Sequence, residues 1–129
     1  MALQNYALKR TVTGLGLFTL RAIEPGKRII EYIGPVIDAA EVNRKGGKYL
    51  FEIDENRSID GSARNNIARY INHSCRPNAK AFVNGRRIWI WSRKIIRADE
   101  EITINYGKDY FGEHIKPKGC RCQKCSPRR

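Results

Sequence analysis

The chain has 129 residues, enough for one domain that buries its own core without disulfide staples. Hydrophobic residues make up 41%, and no apolar run approaches the ~20 residues of a membrane-spanning helix, so a helical membrane protein is excluded. With 25 Lys and Arg against 13 Asp and Glu, the net charge is +12, which favours polyanionic or acidic neighbours without identifying one.

The start, Met1 to Asn5, has neither a basic n-region nor an apolar h-region, so an intracellular chain is expected. Tyr6 to Val12 reads as a strand. Gly14-Leu15-Gly16 follows, and a tight turn explains it as well as a ligand does. Leu17 to Leu20 reads as the next strand, Glu24-Pro25-Gly26 as a turn, and Arg28 to Ile33 as a β-branched strand stopped by Gly34-Pro35. Ala39 to Arg44 predicts one or two helical turns closed by Lys45-Gly46-Gly47. Tyr49 to Ile53 predicts a strand, and Ile59 starts another before Asp60-Gly61.

Between Ile67 and Asn78 the chain packs polar chemistry densely, with His73, Ser74, Cys75, Asn72 and Asn78 directly after the apolar turn Ile67 to Ile71. Either the core holds this loop rigid for a ligand, or Asn72 and Asn78 bond their own backbone in Asx turns. Lys80 to Val83 and Arg87 to Trp91 flank Asn84-Gly85, a pair favoured in type I′ turns, which predicts a hairpin. Ala98 to Glu101 reads as a solvated polar turn. Glu100 and Glu101 resemble a carboxylate dyad only superficially, since adjacent strand residues face opposite sides. Ile102 to Tyr106 predicts a last strand. Short strands punctuated by Gly and Pro, with little helix, predict a mainly β domain.

The cysteines are Cys75 and the trio Cys120-x-Cys122-x-x-Cys125. Without a secretion signal, two disulfides are the weaker reading. Thiolates at this spacing suit a tetrahedral Zn²⁺ site, for which Cys75 is the one cysteine left to supply the fourth ligand. A Lys/Pro/Gly-rich link leads into the trio, and His114 within it reads as an exposed loop residue.

These pieces, in this order, resemble the SET-domain protein-lysine methyltransferases. Gly14 to Phe18 matches the family's G-x-G segment, and Ile30 to Gly34 matches its EYxG strand. Ala68 to Asn78 is similar to its RFINHSCxPN signature, Asp99 to Tyr106 is similar to its GEELTxxY segment, and the terminal cysteines look like a post-SET zinc segment. The resemblance spans about Tyr6 to Cys125 and implies a cluster of small β-sheets with a knot-like threading of the tail. The implied domains are a SET domain over 1–112 and a post-SET zinc-binding segment over 113–129. The sequence departs from the family in three respects. No cysteine-rich pre-SET segment stands before Tyr6, the cysteine gap is two residues where four are common, and the insert between Asp38 and Ser62 is short.

The resemblance also implies chemistry: transfer of a methyl group from S-adenosylmethionine to the side-chain amine of a lysine in a protein. Tyr106 would be the catalytic tyrosine, with Tyr32 lining the same channel. Gly14, Leu15, Gly16, Leu17, Asn72, His73, Tyr106 and Phe111 would hold the cofactor, Asn72 at its amino-acid end, His73 and Phe111 near the adenine. Ile104 and Tyr110 would wall the lysine channel, and Cys75, Cys120, Cys122 and Cys125 would bind one structural zinc that folds the tail over the site. The plainer reading of the tyrosines is ordinary strand packing. A histone or other nucleic-acid-associated protein is the implied substrate, with Glu52, Asp54, Glu55 and Asp60 available to dock a basic tail. The implied location is nuclear in a eukaryote and cytoplasmic in a bacterium, with secretion to a host by a signal-less route as a further alternative. A catalytically inactive, zinc-containing SET module is the alternative. A small basic nucleic-acid-binding protein is a third reading that rests on charge and lacks a reading element.

Overall fold

The structure, a computed structural model, describes residues 5–45 and 49–106. In chain order its elements are β1 (Tyr6–Thr11), β2 (Gly14–Thr19), β3 (Arg28–Tyr32), β4 (Val36–Asp38), helix α1 (Ala39–Lys45), β5 (Leu50–Asp54) and β6 (Arg57–Asp60). A 3-10 turn (Ile67–Tyr70) precedes β7 (Asn72–His73), β8 (Ala79–Asn84), β9 (Arg87–Ser92) and β10 (Thr103–Ile104). They form four small sheets, ordered β1-β2, β3-β9-β8, β4-β6-β5 and β10-β7, so the domain is mainly β as expected. The expected knot-like threading of the tail lies outside the described residues.

Alternation on β9 fixes the largest sheet over the core: Ile88, Ile90 and Ser92 are buried, while Arg87, Trp89 and Trp91 face the other way. Leu17 of β2, Phe51 of β5, Ile59 of β6 and the loop residues Ile96 and Ile102 pack into the same core, with Tyr32, Ala68, Ile71, Ala79 and Ile104. Each such aliphatic side chain contributes about 1.5–3 kcal/mol by leaving water.

Three details differ from the pattern read along the chain. The Gly14-Leu15-Gly16 segment is not a turn. The β1–β2 hairpin turns at Val12-Thr13, with Thr11 opposite Gly14, and the glycines lie inside β2. Thr11 builds that turn by donating its hydroxyl to the Gly14 carbonyl (2.7 Å) and accepting from the Thr13 amide (3.1 Å). Gly14 closes it at φ +109°, a conformation other residues rarely adopt.

In the β8–β9 hairpin, Asn84 pairs with Arg87, so the two turn residues are Gly85 and Arg86, one position later than the type I′ reading. Gly85 has φ +64° and Arg86 does not enter the left-handed region, which is the II′ pattern of glycine first. A bulky Arg at the second position disfavours the doubly left-handed I′ alternative.

The expected strand Ile102 to Tyr106 shrinks to Thr103–Ile104, because its partner β7 is only two residues long. Strand β4 escapes the hydrophobic pattern, and β6 begins at Arg57, two residues before the expected start at Ile59. β4 has three residues, and β6 buries Ser58 and Asp60 beside Ile59. The helix, by contrast, begins where expected, with the Asp38 carboxylate accepting from the Glu41 amide (2.9 Å).

Asn66 joins two of these sheets and is fully buried. Its Oδ1 accepts from the Ile33 amide (3.0 Å), and its Nδ2 donates to the Gly61 carbonyl (2.9 Å). Truncation would leave both backbone groups buried and unpaired, at about 1–3 kcal/mol each. Asn66→Ala is therefore expected to lose about 2 kcal/mol or more in urea denaturation; an unchanged midpoint would show that the bridge contributes nothing.

Candidate functional site

The site forms where the segment after Asp99 crosses the 71–78 stretch. β7 and β10 run parallel, pairing Asn72 with Thr103 and His73 with Ile104, and the Ser74 amide donates to the Ile104 carbonyl (2.9 Å). Asn78 fastens the crossing. Its Nδ2 donates to the Glu101 carbonyl (2.8 Å), and its Oδ1 accepts from the Thr103 amide (2.9 Å). Of the two readings of the Asx-rich loop, Asn78 departs from the local Asx turn and agrees with a loop held rigid by the core, since its partners lie 23 and 25 residues away.

Tyr106 is held from both ends. Its hydroxyl donates to the Ile71 carbonyl (2.7 Å), and its amide donates to His73 Nδ1 (3.1 Å). The His73 and Tyr106 rings lie 5.3 Å apart between centroids. A ring nitrogen that accepts from an amide must be unprotonated, so His73 carries its proton on Nε2, 3.4 Å from the Cys75 sulfur. Burial also lowers the His73 pKa, favouring the neutral imidazole. This geometry suits a positioning role better than proton transfer.

Asn72 lies against β2. Its Nδ2 donates to the Leu15 carbonyl (3.2 Å) and to the Glu101 carboxylate (2.8 Å). Both hydrogens of that nitrogen are thereby used, which leaves Oδ1 as the atom able to accept from a ligand. A Cβ on Gly16 would stand 2.4 Å from Glu101 Oε2 and 3.1 Å from Asn72 Nδ2. Gly16 therefore leaves the room in which Glu101 meets Asn72, whereas Gly14 is favoured by its backbone angle.

Glu101 is the residue the sequence pattern misjudged. Its neighbour Glu100 is exposed, as expected of a solvated turn, but Glu101 bridges to Phe18 of β2 and is partly buried. Burial raises the Glu101 pKa, and the hydrogen bond from Asn72 opposes that shift in part. Asp99, at φ +70°, makes the bend that turns this segment inward. A Glu after a positive-φ turn resembles any surface acid in sequence, and only the distant Asn72 and Gly16 give it a function.

Of these groups Asn72, His73, Ser74, Asn78 and Glu101 line a cleft of about 540 Å³, within the range of small-molecule sites, and Tyr106 reaches it through His73. Phe18 supplies an apolar wall, Asn72, His73, Ser74 and Glu101 the polar side, and Arg10, Arg76 and Lys94 a basic margin. Phe18 was not singled out in the sequence, although alternation along β2 puts it on the same face as Gly16.

The other expected residues are placed as follows. Leu15 is largely exposed and offers its carbonyl to Asn72. Leu17 is fully buried in the core, and its carbonyl is taken by the Ile102 amide (2.8 Å). Ile104 is buried in β10 beside His73. Tyr32 is buried, packs edge-on against Phe51, and donates its hydroxyl to the Tyr49 carbonyl (2.7 Å). Tyr110, Phe111, His114, Cys120, Cys122 and Cys125 lie outside the described residues, and among the described residues no three metal-binding side chains cluster.

Residues 14–107 match the SET domain family model, and the chain belongs to that family. It is similar to histone-lysine N-methyltransferase set-2 of Caenorhabditis elegans, at 44% identity over 108 residues, covering 74% of this chain and 7% of the relative. A histone-lysine N-methyltransferase of Saccharomyces cerevisiae, H3 lysine-4 specific, is 40% identical over 120 residues, covering 83% of this chain and 11% of the relative. The chain thus spans only a small part of the length of these relatives. Among solved structures, ctPRC2 in an autoinhibited conformation bound to S-adenosylmethionine superposes with a TM-score of 0.74 at 32% identity, covering 81% of this chain and 15% of that one.

Two outcomes follow from the contact of Gly16 with the Asn72–Glu101 pair. Gly16→Ala and Glu101→Ala are expected to be coupled in a double-mutant cycle by about 1 kcal/mol, because the tightest approach of the new methyl, to Glu101 Oε2, goes with the carboxylate. Additive losses would separate the two residues. Glu101 also gives stability a pH dependence. Because its folded-state pKa is raised, its contribution is complete below 4.5, the ordinary value, and is lost as pH rises through the folded value. Glu101→Gln should remove that decline in denaturation curves taken from pH 4 to 7 (about the span in which carboxyls titrate), whereas a parallel decline in both proteins would assign it elsewhere.

Proposed function

We propose that this chain is the catalytic domain of a protein-lysine methyltransferase that uses S-adenosylmethionine and acts on a histone or a similar nucleic-acid-associated protein. The observation that carries the reading is that Tyr106, 33 residues on, is bonded to His73 of the Asn72–His73 pair, and that this pair lines the cleft. The names of the relatives support the substrate class, and the cofactor in the ctPRC2 structure supports the donor. A nuclear, chromatin-associated setting follows from the same relatives if the source is eukaryotic.

The cleft residues fit such a donor. Asn72 Oδ1 and the Glu101 carboxylate suit an ammonium, Arg10, Arg76 and Lys94 suit a carboxylate, and Phe18 gives apolar cover. When bound, S-adenosylmethionine supplies an activated methyl on a positively charged sulfur. Tyr106 spends its hydroxyl hydrogen on the Ile71 carbonyl, so toward an incoming amine its oxygen acts as an acceptor. That polarity orients an attacking nitrogen by its N–H and contacts a polarised methyl through weak CH···O bonds. The amine must be neutral to attack, which for a lysine of reference pKa near 10.4 costs about 4.6 kcal/mol at pH 7. An apolar channel lowers that cost by disfavouring the ammonium. We assign Ile104, Tyr32 and Tyr110 to this channel, and Phe111 to the adenine.

We further assign residues 113–129 to a post-SET segment in which Cys75, Cys120, Cys122 and Cys125 hold one structural zinc. The donor set fits zinc chemically, and Cys75 stands beside His73 at the cleft. Metal analysis of the reduced chain should give one zinc per molecule, lowered in Cys75→Ser. Absence of zinc in the unmodified chain would refute the assignment.

Methyl transfer is tested with radiolabelled cofactor and histones. Labelling should fall about 100-fold or more in Tyr106→Phe, since loss of the hydroxyl leaves the amine unpositioned. Donor binding without any labelling of histones or lysate would favour the inactive module.

A further inference from the structure

The outer face of the β3–β9–β8 sheet shares no residue with the cleft. Arg87, Trp89 and Trp91 form its central row. Across the sheet Asn84 lies beside Arg87, Phe82 beside Trp89, and Lys80 beside Trp91. On the opposite side Glu31 borders Trp89 and Arg28 borders Trp91.

Cations and rings interleave on this face. The Arg28 guanidinium lies 4.3 Å and that of Arg87 5.5 Å from the Trp89 ring, and the Lys80 ammonium lies 5.3 Å from the Phe82 ring. Phe82 stands edge-on to Trp91 at 6.5 Å and is 48% exposed. Glu31 is the one acid in these three strands, and Arg87 holds it with two hydrogen bonds of 3.0 and 3.2 Å. Arg28, Phe82, Asn84, Trp89 and Trp91 frame an open depression of about 390 Å³.

An apolar protein surface seated here would strip water from Arg28 and Lys80 without neutralising them, which is costly. A polynucleotide satisfies both kinds of group, since bases stack on the rings and phosphates meet the cations. A duplex hides its base faces, so it leaves these rings nothing to stack on. RNA, in contrast, offers unpaired bases in loops and bulges. The chain's charge of +12 adds long-range attraction.

We infer that this sheet face binds single-stranded RNA, with bases on Phe82 and Trp91 and phosphates at Arg28 and Lys80. The inference is independent of the methyl-transfer reading. It also supplies the reading element that charge alone lacked.

Trp89 and Trp91 are the only 2 tryptophans of the chain, so its intrinsic fluorescence reports from this face. Titrating the full chain with an unstructured oligoribonucleotide of about twelve nucleotides should quench that fluorescence to saturation. Affinity should fall with added salt, and Lys80→Gln should make that fall shallower by about 0.7 in the log–log slope. Phe82→Ala, at an exposed position, should weaken binding roughly 5- to 100-fold with the circular dichroism spectrum unchanged. RNA should bind at least as tightly as DNA of the same sequence, single-stranded or duplex. The inference is overturned by binding seen in anisotropy without quenching, by unchanged affinity in both variants, by preference for either DNA, or by no binding at all.

Discussion

The site depends on one crossing: the 101–106 segment laid across the 71–78 stretch. A parallel pair of two residues is far too short to hold itself together. Side chains complete it, above all Asn78, which satisfies the Glu101 carbonyl and the Thr103 amide at once. Tyr106 closes the far end through Ile71 and His73. Each bond is worth only about 0.5–1.5 kcal/mol net, but leaving any of these partly buried groups unpaired costs more, so they hold as a set.

From that crossing the electrostatics of the cleft follow. It brings the Glu101 carboxylate out of solvent and against Asn72, and it does so only because Gly16 leaves room on β2. Arg10, Arg76 and Lys94 also line the cleft and add positive charge. The cleft therefore presents two acids, Glu100 and Glu101, the Asn72 amide oxygen and several cations to a ligand that carries both signs. The strands behind it, anchored by Ile88 and Ile90, keep these groups from shifting.

Much of this was legible in the sequence, for identifiable reasons. Alternation in Arg87 to Trp91, the helix start at Asp38 and the dense polar run at 72–78 are local signals, and each has a structural counterpart. Resemblance to the SET family carried the rest, including Tyr106, which spacing alone could not have linked to His73. What stayed hidden depends on distant partners. Glu101 looked like a surface acid until Asn72 was placed beside it, and Asn78 looked like a turn residue until Thr103 reached it. The Gly14 and Gly16 pair was visible as a motif, yet its two reasons, a backbone angle and a close approach, required coordinates. Leu17 shares the motif but belongs to the core.

The most direct measurement is a crystal structure of the chain grown with S-adenosylhomocysteine, the donor without its methyl. The crossing predicts the ligand in the cleft, its ammonium on Asn72 Oδ1 and its sulfur directed toward the Tyr106 hydroxyl. A ligand seated away from residues 72–73, with Tyr106 remote from its sulfur, would contradict that arrangement.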